Sequence, residues 1–149
     1  HGTHAEPLLA APMTPLCTPV IAARLKTPAD LIPERLLRSY RADEWALWFT
    51  AAGVPAPVLR GPIFDSSALM ASAAAAGQGI ALAPPAMFAR ELAAELLVQP
   101  FKVEINAGRY WLTRLMSRTE NDAMARFKAW LTDEIAADQG ARTVPDTAA

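Results

Sequence analysis

Proline is the sequence feature that most restricts how this chain can fold. Thirteen of its 149 residues are proline, and a proline inside a helix removes a backbone hydrogen bond and clashes with the preceding turn. The composition therefore favours many short elements over long helices. Between residues 6 and 18, Pro7, Pro12 and Pro15 exclude a helix and predict two short extended segments.

Short helices and short strands alternate along the rest of the chain. The predicted helices cover 19–25, one turn at 28–31 capped by Thr27, 43–52, a segment from Asp65-Ser66-Ser67 to Gly77, 86–92 and 120–136. The predicted strands are 36–40, 57–64, 79–84, 96–99 and 109–115. This alternation is typical of an α/β domain with a mostly parallel sheet, in which ligands bind beyond the carboxyl ends of strands.

Several apolar residues are predicted to belong to the core rather than to a reactive site. Trp45, Trp48 and Phe49 have i, i+3, i+4 spacing, which predicts one packed helix face rather than a cofactor site. Cys17 lies in an apolar, strand-like run and is predicted to be a buried hydrophobic residue rather than a nucleophile or metal ligand. A single cysteine excludes an internal disulfide and is consistent with a reducing cytoplasm.

The charge balance argues against direct nucleic-acid binding by this chain. Its formal net charge is −1, its pI is about 6.1, and no run of Lys or Arg occurs. Binding to DNA phosphates normally requires a clustered basic excess. We also expect no membrane contact, because no run of eighteen apolar residues is present and the first residues do not resemble a signal peptide. The first residue is not methionine, so we expect the chain to be part of a longer one.

The residues that most catalytic sites require are not present in a recognisable arrangement. The only histidines, His1 and His4, lie at the terminus, and no HExxH, CxxC, GxSxG or P-loop motif occurs. We therefore predict a protein that is not an enzyme, with no catalytic residues, no metal site and no cofactor.

Three segments carry candidate ligand-binding groups. In Phe64-Asp65-Ser66-Ser67 a strand passes directly into a helix, whose first-turn hydroxyl and N–H groups can receive a carboxylate or phosphate. From residue types alone, capping of the helix by Asp65 or Ser66 is the commoner role. Tyr110 could offer its hydroxyl to a ligand or be an ordinary half-buried tyrosine. Arg38-Ser39-Tyr40-Arg41 places polar groups after a strand end, which predicts the rim of a cleft.

The order of these segments resembles the effector domain of LysR-type transcriptional regulators over roughly residues 1–136. The resemblance rests on Pro28-Ala29-Asp30-Leu31, 36–40, Asp43-Glu44-Trp45 with Trp48 and Gly53, 76–84, and Phe127 with Trp130-Leu131. Within the family the chain is most similar to the AmpR-type regulators of β-lactamase genes, in 36–45, 64–67 and 108–115.

The resemblance implies a fold like type II periplasmic binding proteins, with the effector between two α/β subdomains. AmpR-type regulators sense cell-wall muropeptides: UDP-MurNAc-pentapeptide holds them inactive, and anhydro-muropeptides convert them to activators. The resemblance further implies that Ser67 and Tyr110 line the effector pocket, with Ser66 and Asp65 beside them. It implies DNA binding through an N-terminal domain outside this sequence, and a homo-oligomer.

The resemblance also divides the chain. Residues 1–18 are predicted to be part of the first effector subdomain, 19–103 the complete second subdomain, 104–138 the return strand and terminal helix of the first, and 139–149 a tail. Two alternatives remain open at this point. One is a LysR-type regulator that responds to an amino acid or another small anion, and the other is a solute-binding protein of a transporter.

Overall fold

A computed structural model describes residues 2–41 and 43–142, with side chains described as far as residue 138. The elements in chain order are β1 (Thr3–Ala10), β2 (Thr14–Leu16), α1 (Pro19–Ala22), a 3-10 helix (Pro28–Leu31), β3 (Arg38–Ser39), α2 (Glu44–Ala51), β4 (Ile63–Phe64), α3 (Ser67–Ala75), β5 (Ala81–Ala83), a second 3-10 helix (Pro85–Phe88), α4 (Ala89–Ala93), β6 (Arg109–Leu115) and α5 (Asp122–Arg142).

These elements form two compact units. Unit 1 consists of His1–Ala10 and Arg109–Ala149, and unit 2 consists of Ala11–Gly108. The subdomain boundaries expected from the sequence, after residues 18 and 103, stay a prediction.

The sheet of unit 2 is mixed rather than mostly parallel. Strands β2 and β5 pair antiparallel, whereas β3 and β4 pair parallel with Ser39 opposite Phe64. A parallel bridge from Leu36 to Ile80 connects the two pairs. The expectation of a mostly parallel sheet was wrong because a strand buried on both faces has the same apolar composition in either direction.

The core of unit 2 lies on both faces of this sheet. Neighbouring strand residues point to opposite faces, and Leu36 packs in one buried cluster whereas Leu37 packs in the other. The first cluster contains the aromatic face of α2, in which Trp48 and Phe49 are fully buried. The aromatic spacing therefore predicted this packing correctly. Cys17 is also fully buried in the first cluster, as expected.

Two predicted strands are much shorter in the structure. Of residues 57–64, only Ile63 and Phe64 form a strand, because Pro57 and Pro62 have no N–H group to donate to a neighbouring strand. Of residues 96–99, only Val98 is paired, in an antiparallel bridge to Cys17.

Unit 1 is a two-stranded antiparallel sheet with one long helix. In the pairing of β1 with β6, Thr3 lies opposite Leu115 at one end and Ala10 lies opposite Arg109 at the other. The register shifts between Pro7 and Leu9. The helix α5 begins at Asp122 and runs to Arg142, beyond the predicted end at residue 136. Asn121 caps it by accepting a hydrogen bond from the Met124 N–H group at 2.9 Å. Part of the expected tail, residues 143–149, lies outside the described residues.

No helix among the described residues is long and apolar enough to cross a membrane.

Candidate functional site

The turn between β4 and α3 has the geometry of a capped helix start. Ser66 has extended backbone angles and its hydroxyl oxygen accepts a hydrogen bond from the Leu69 N–H group at 3.5 Å. Its carbonyl accepts the first helical hydrogen bond, from the Met70 N–H group at 3.0 Å. Ser66 is thus the N-cap residue, while Asp65 is exposed and does not cap the helix. The capping role considered for this segment therefore belongs to Ser66.

Ser67 is the first residue of α3 and has a different environment from Ser66. It is half-buried, and its hydroxyl group makes no hydrogen bond to any residue that the structure describes. Its N–H group and that of Ala68 have no acceptor within the helix, because the helical hydrogen bonds begin at Met70. These donors and the helix dipole together favour a negatively charged group in front of the helix.

The end of β3 lies beside the end of β4. The parallel register places Ser39 opposite Phe64, so Tyr40 and Arg41 leave the sheet at the same edge as Asp65 and Ser66. Arg38 is anchored there by donating from Nε to the carbonyl of Gly61 at 2.8 Å. The polar segment 38–41 thus lies at a strand end as the sequence predicted.

A buried carboxylate, Glu44, organises this edge. Glu44 is only 8% exposed, and its Oε2 atom accepts a hydrogen bond from the Ser39 hydroxyl at 2.5 Å. Its Oε1 atom lies 3.6 Å from Arg41 Nη1. The sequence did not single out Glu44 as a partner of Arg41. The i, i+3 spacing of the two residues was the available signal, but it predicts a pair only where a helix is known to begin between them.

Tyr110 lies on β6, opposite Leu9, and is half-buried. Burial raises the pKa of its hydroxyl above the ordinary value of 10.0, so the group remains protonated at neutral pH. Among the described residues the hydroxyl makes no hydrogen bond. It is available both as a donor and as an acceptor.

The predicted site residues divide between the two units. Asp65, Ser66 and Ser67 are adjacent at the start of α3 in unit 2, whereas Tyr110 belongs to unit 1. A joint site formed by all four stays a prediction.

Unit 1 also contains a cavity that the sequence did not predict. It has a volume of about 450 Å³, and its lining includes Leu112 on β6 together with Met124 and Phe127 on α5. An ion pair between Glu6 and Lys128 borders it, and Lys128 holds the pKa of the Glu6 carboxyl below its ordinary value. None of the four predicted site residues lines this cavity. The available sequence signal was the spacing of Met124, Phe127 and Leu131, which places three apolar residues on one face of the helix. Such a face can be either covered or open.

The described groups include neither an activated thiol nor a candidate metal cluster. Burial raises the pKa of the Cys17 thiol to about 11, so it is not a thiolate at neutral pH. No group of three or more His, Cys, Asp or Glu side chains in the described part of the chain could hold a metal ion.

Comparison with known proteins identifies several relatives of high similarity. The transcriptional activator AmpR of Pseudomonas aeruginosa, an HTH-type protein, is 54% identical over 144 residues, which cover 95% of this chain and 49% of that protein. The chain therefore spans about half the length of this relative.

Solved structures agree with this relationship. The effector domain of AmpR from Pseudomonas aeruginosa superposes with a TM-score of 0.90 at 53% identity, covering 97% of this chain and 70% of that one. A Citrobacter freundii effector-binding domain carrying threonine-to-valine, serine-to-alanine and tyrosine-to-phenylalanine substitutions gives a TM-score of 0.85 at 47% identity, covering 89% of this chain and 68% of that one. The fold is thus the α/β fold of LysR effector domains, which is like that of type II periplasmic binding proteins.

A family model described as LysR substrate binding domain matches residues 1–136. Because this match covers nearly the whole chain, the chain belongs to the LysR substrate-binding domain family.

Proposed function

We propose that this chain is the effector-sensing domain of a LysR-type DNA-binding transcriptional regulator, and that its effector is a cell-wall muropeptide. Through that effector it would control the expression of a β-lactamase gene. The proposal includes no catalytic activity, since the relative named above is a transcriptional activator and not an enzyme.

The spacing of one serine and one tyrosine carries this proposal. In the substituted Citrobacter freundii domain, the altered serine and tyrosine are 43 residues apart. Ser67 and Tyr110 are also separated by 43 residues, and no other serine and tyrosine in this sequence have that spacing. Ser66 is excluded, because it is one residue too far from Tyr110.

The chemistry of the two residues suits a peptide-bearing ligand. At the helix start, Ser67 offers a hydroxyl and N–H groups with which no described residue pairs, and these groups favour a carboxylate. Tyr110 offers a neutral hydroxyl. A muropeptide carries both carboxylates and amide groups, so these two residues can recognise different parts of it. The same proposal takes residues 19–103 as the second effector subdomain and residues 1–18 and 104–138 as parts of the first.

The same proposal assigns DNA binding to another part of the protein. The net charge of this chain is −1, whereas DNA binding is driven mainly by basic side chains on phosphates. DNA contact would come from an N-terminal helix-turn-helix domain, as the HTH-type name of the Pseudomonas aeruginosa relative indicates for that protein. The regulator would act as a homo-oligomer in the cytoplasm.

Calorimetric titration of the full-length protein tests the choice of effector. We expect binding of UDP-MurNAc-pentapeptide and of an anhydro-muropeptide, with no comparable binding of free amino acids. A preference for amino acids would overturn the muropeptide assignment and leave a LysR-type regulator of another class.

Substitutions at Ser67 and Tyr110, with Ser66 as a control, test the site. Ser67→Ala and Tyr110→Phe should each weaken effector binding about tenfold, since each removes a hydrogen bond to the ligand, and should leave the free energy of unfolding nearly unchanged. Ser66→Ala is the matched control: it should lower that free energy by about 0.5–1 kcal/mol through loss of the cap and weaken effector binding less. Normal effector binding by both Ser67→Ala and Tyr110→Phe would refute the site.

A further inference from the structure

The carboxyl ends of β3 and β4 bring a cationic side chain to the edge at which α3 begins. Because the strands are parallel with Ser39 opposite Phe64, Arg41 follows β3 by as many residues as Ser66 follows β4. Side chains at this edge of an α/β sheet commonly contact ligands. A small cavity of about 100 Å³, whose lining includes Ser39, Tyr40 and Arg41, opens here.

Three neighbours hold the Arg41 side chain in place. Its guanidinium carbon lies 5.5 Å from the centroid of the Tyr40 ring, a cation–π distance. Its Nη1 atom lies 3.6 Å from Glu44 Oε1. The same nitrogen would be only 3.5 Å from a Cβ atom at Gly108, so the guanidinium group packs close to the backbone that leads, two residues later, to Tyr110.

The guanidinium group nevertheless has unused binding capacity. Glu44 meets it at one nitrogen only, and the Arg41 side chain is 54% exposed. A guanidinium group has five N–H donors in a planar fork that matches a carboxylate in a two-bond arrangement. The Arg41 side chain donates no hydrogen bond to the described residues. Arg41 is thus preoriented by Glu44 and Tyr40, while no residue in the described part of the chain occupies most of its donors.

We infer that Arg41 is a specificity-determining residue that binds the C-terminal carboxylate of the effector's peptide. The inference rests on the proposed function, and it adds a charged recognition group between the strand end that precedes Ser67 and the segment that precedes Tyr110. Glu44 is then a positioning residue. It meets the guanidinium group at one nitrogen only, so it does not form the two-bond contact that the ligand carboxylate would form. Arg41 would thereby distinguish a free peptide acid from a neutral peptide end.

A purely structural role for Arg41 makes a different prediction. If Arg41 served only to balance the buried Glu44 carboxylate, replacing it would lower stability without changing which ligands are preferred. Discrimination between an acid and its amide is therefore the informative measurement, because a structural role would not alter it.

The experiment titrates the full-length protein with UDP-MurNAc-pentapeptide and with the same compound amidated at its C-terminal carboxylate. The unsubstituted protein should bind the acid at least about tenfold more tightly than the amide, as expected for a charge-assisted pair of hydrogen bonds. Arg41→Gln should bind both compounds with the weaker affinity, so that the preference disappears. Arg41→Lys, which keeps the charge but not the fork, should retain part of the preference. Arg90→Gln, on the exposed face of α4, is the matched control and should behave as the unsubstituted protein.

Each contrary result has a distinct meaning. If Arg41→Gln retains the preference for the acid, the inference is wrong and the proposed function is unaffected. If Arg41→Gln weakens binding of the acid and the amide equally, Arg41 contacts another anionic group such as the diphosphate, and the carboxylate assignment is overturned. If the unsubstituted protein binds neither compound, the muropeptide proposal itself fails and takes the inference with it. Should Arg41→Gln not fold, the intermediate preference expected of Arg41→Lys decides the question.

Discussion

Two buried polar side chains hold the segment 101–105, which precedes β6 in the chain, in place. The Thr14 hydroxyl and the Trp48 indole N–H group both donate to the carbonyl of Val103, each at 2.9 Å. A second contact joins the Thr14 hydroxyl to the carbonyl of Phe101 at 3.3 Å. A buried carbonyl group without a donor destabilises a protein by about 1–3 kcal/mol. These two side chains therefore hold an irregular segment in place where strand pairing is confined to the bridge between Met13 and Ile105.

The buried Cys17 thiol gives the protein a pH-dependent stability at high pH. Burial raises its pKa from 9.0 to about 11, and the negative charge of Glu34 adds to the shift. The unfolded chain therefore loses this proton first, and between pH 9 and 11 the unfolded state is favoured increasingly as the pH rises. Within that window the thiol lowers the free energy of unfolding by about 1.4 kcal/mol for each pH unit of increase. Below pH 9 it has no such effect.

Urea unfolding of the protein and of Cys17→Ala between pH 8 and 10.5 measures this effect. The substitution should be destabilising at pH 8, because it leaves a cavity, and its disadvantage should shrink as the pH rises, because alanine has no proton to lose. Parallel stability curves for the two proteins over this range would contradict the shifted thiol.

At the scale of elements, sequence patterns located helices better than strands. Caps and glycines marked the helices: Thr27 is the N-cap residue of a 3-10 helix and Ser66 is the N-cap residue of α3. Such ends are predictable because local hydrogen bonds determine them. Strands are made by pairing with distant residues, so proline-interrupted runs such as 57–64 could not be placed from composition.

The same distinction applies to the candidate site. The segment 64–67 could be singled out because a strand passes directly into a helix there, whereas the choice of Ser67 within it came from the family resemblance. The position of Arg41 beside Gly108 depends on the register of β3 and on a close backbone approach, neither of which the residue types encode. The sequence therefore predicted a polar rim at 38–41 but not which of its side chains is held in place.

Gly61 lies very close to the backbone of the segment before β3. A Cβ atom on Gly61 would lie 1.8 Å from the carbonyl oxygen of Leu36, and the neighbouring Pro62 carbonyl accepts the Arg38 N–H group at 2.9 Å. Alanine at this position would push β4 away from β3. We expect Gly61→Ala to lower the free energy of unfolding by about 2–3 kcal/mol.

Gly53→Ala is the matched control for this prediction. Gly53 has a φ of +71° but no atom within 4 Å of a Cβ position, so the substitution should cost only the backbone strain, about 1 kcal/mol. Urea unfolding of both variants gives the comparison. If Gly61→Ala is no more destabilising than Gly53→Ala, the backbone at Gly61 can move away from Leu36 at little cost, and the predicted clash is wrong.

At the scale of the whole molecule, the buried core belongs to unit 2. Every hydrophobic residue classed as buried in the described part of the chain lies between Met13 and Ile105, within the Ala11–Gly108 unit. In unit 1, the large apolar side chains of Trp111, Phe127 and Trp130 are each more than half exposed. Burial of apolar surface is the main stabilising contribution to folding, so the two units should differ in stability.

Hydrogen exchange of the 149-residue chain, followed by mass spectrometry, measures that difference directly. A two-stranded sheet is marginally stable by itself, and segments with few buried contacts open at lower free energy than the core. Peptides from β1 and β6 should therefore exchange at least about tenfold faster than peptides from α2 and β5, whose residues pack in the buried clusters. Equal protection of β1, β6, α2 and β5 would mean that the exposed apolar residues of unit 1 are covered in solution, and that its stability has a source other than its own core.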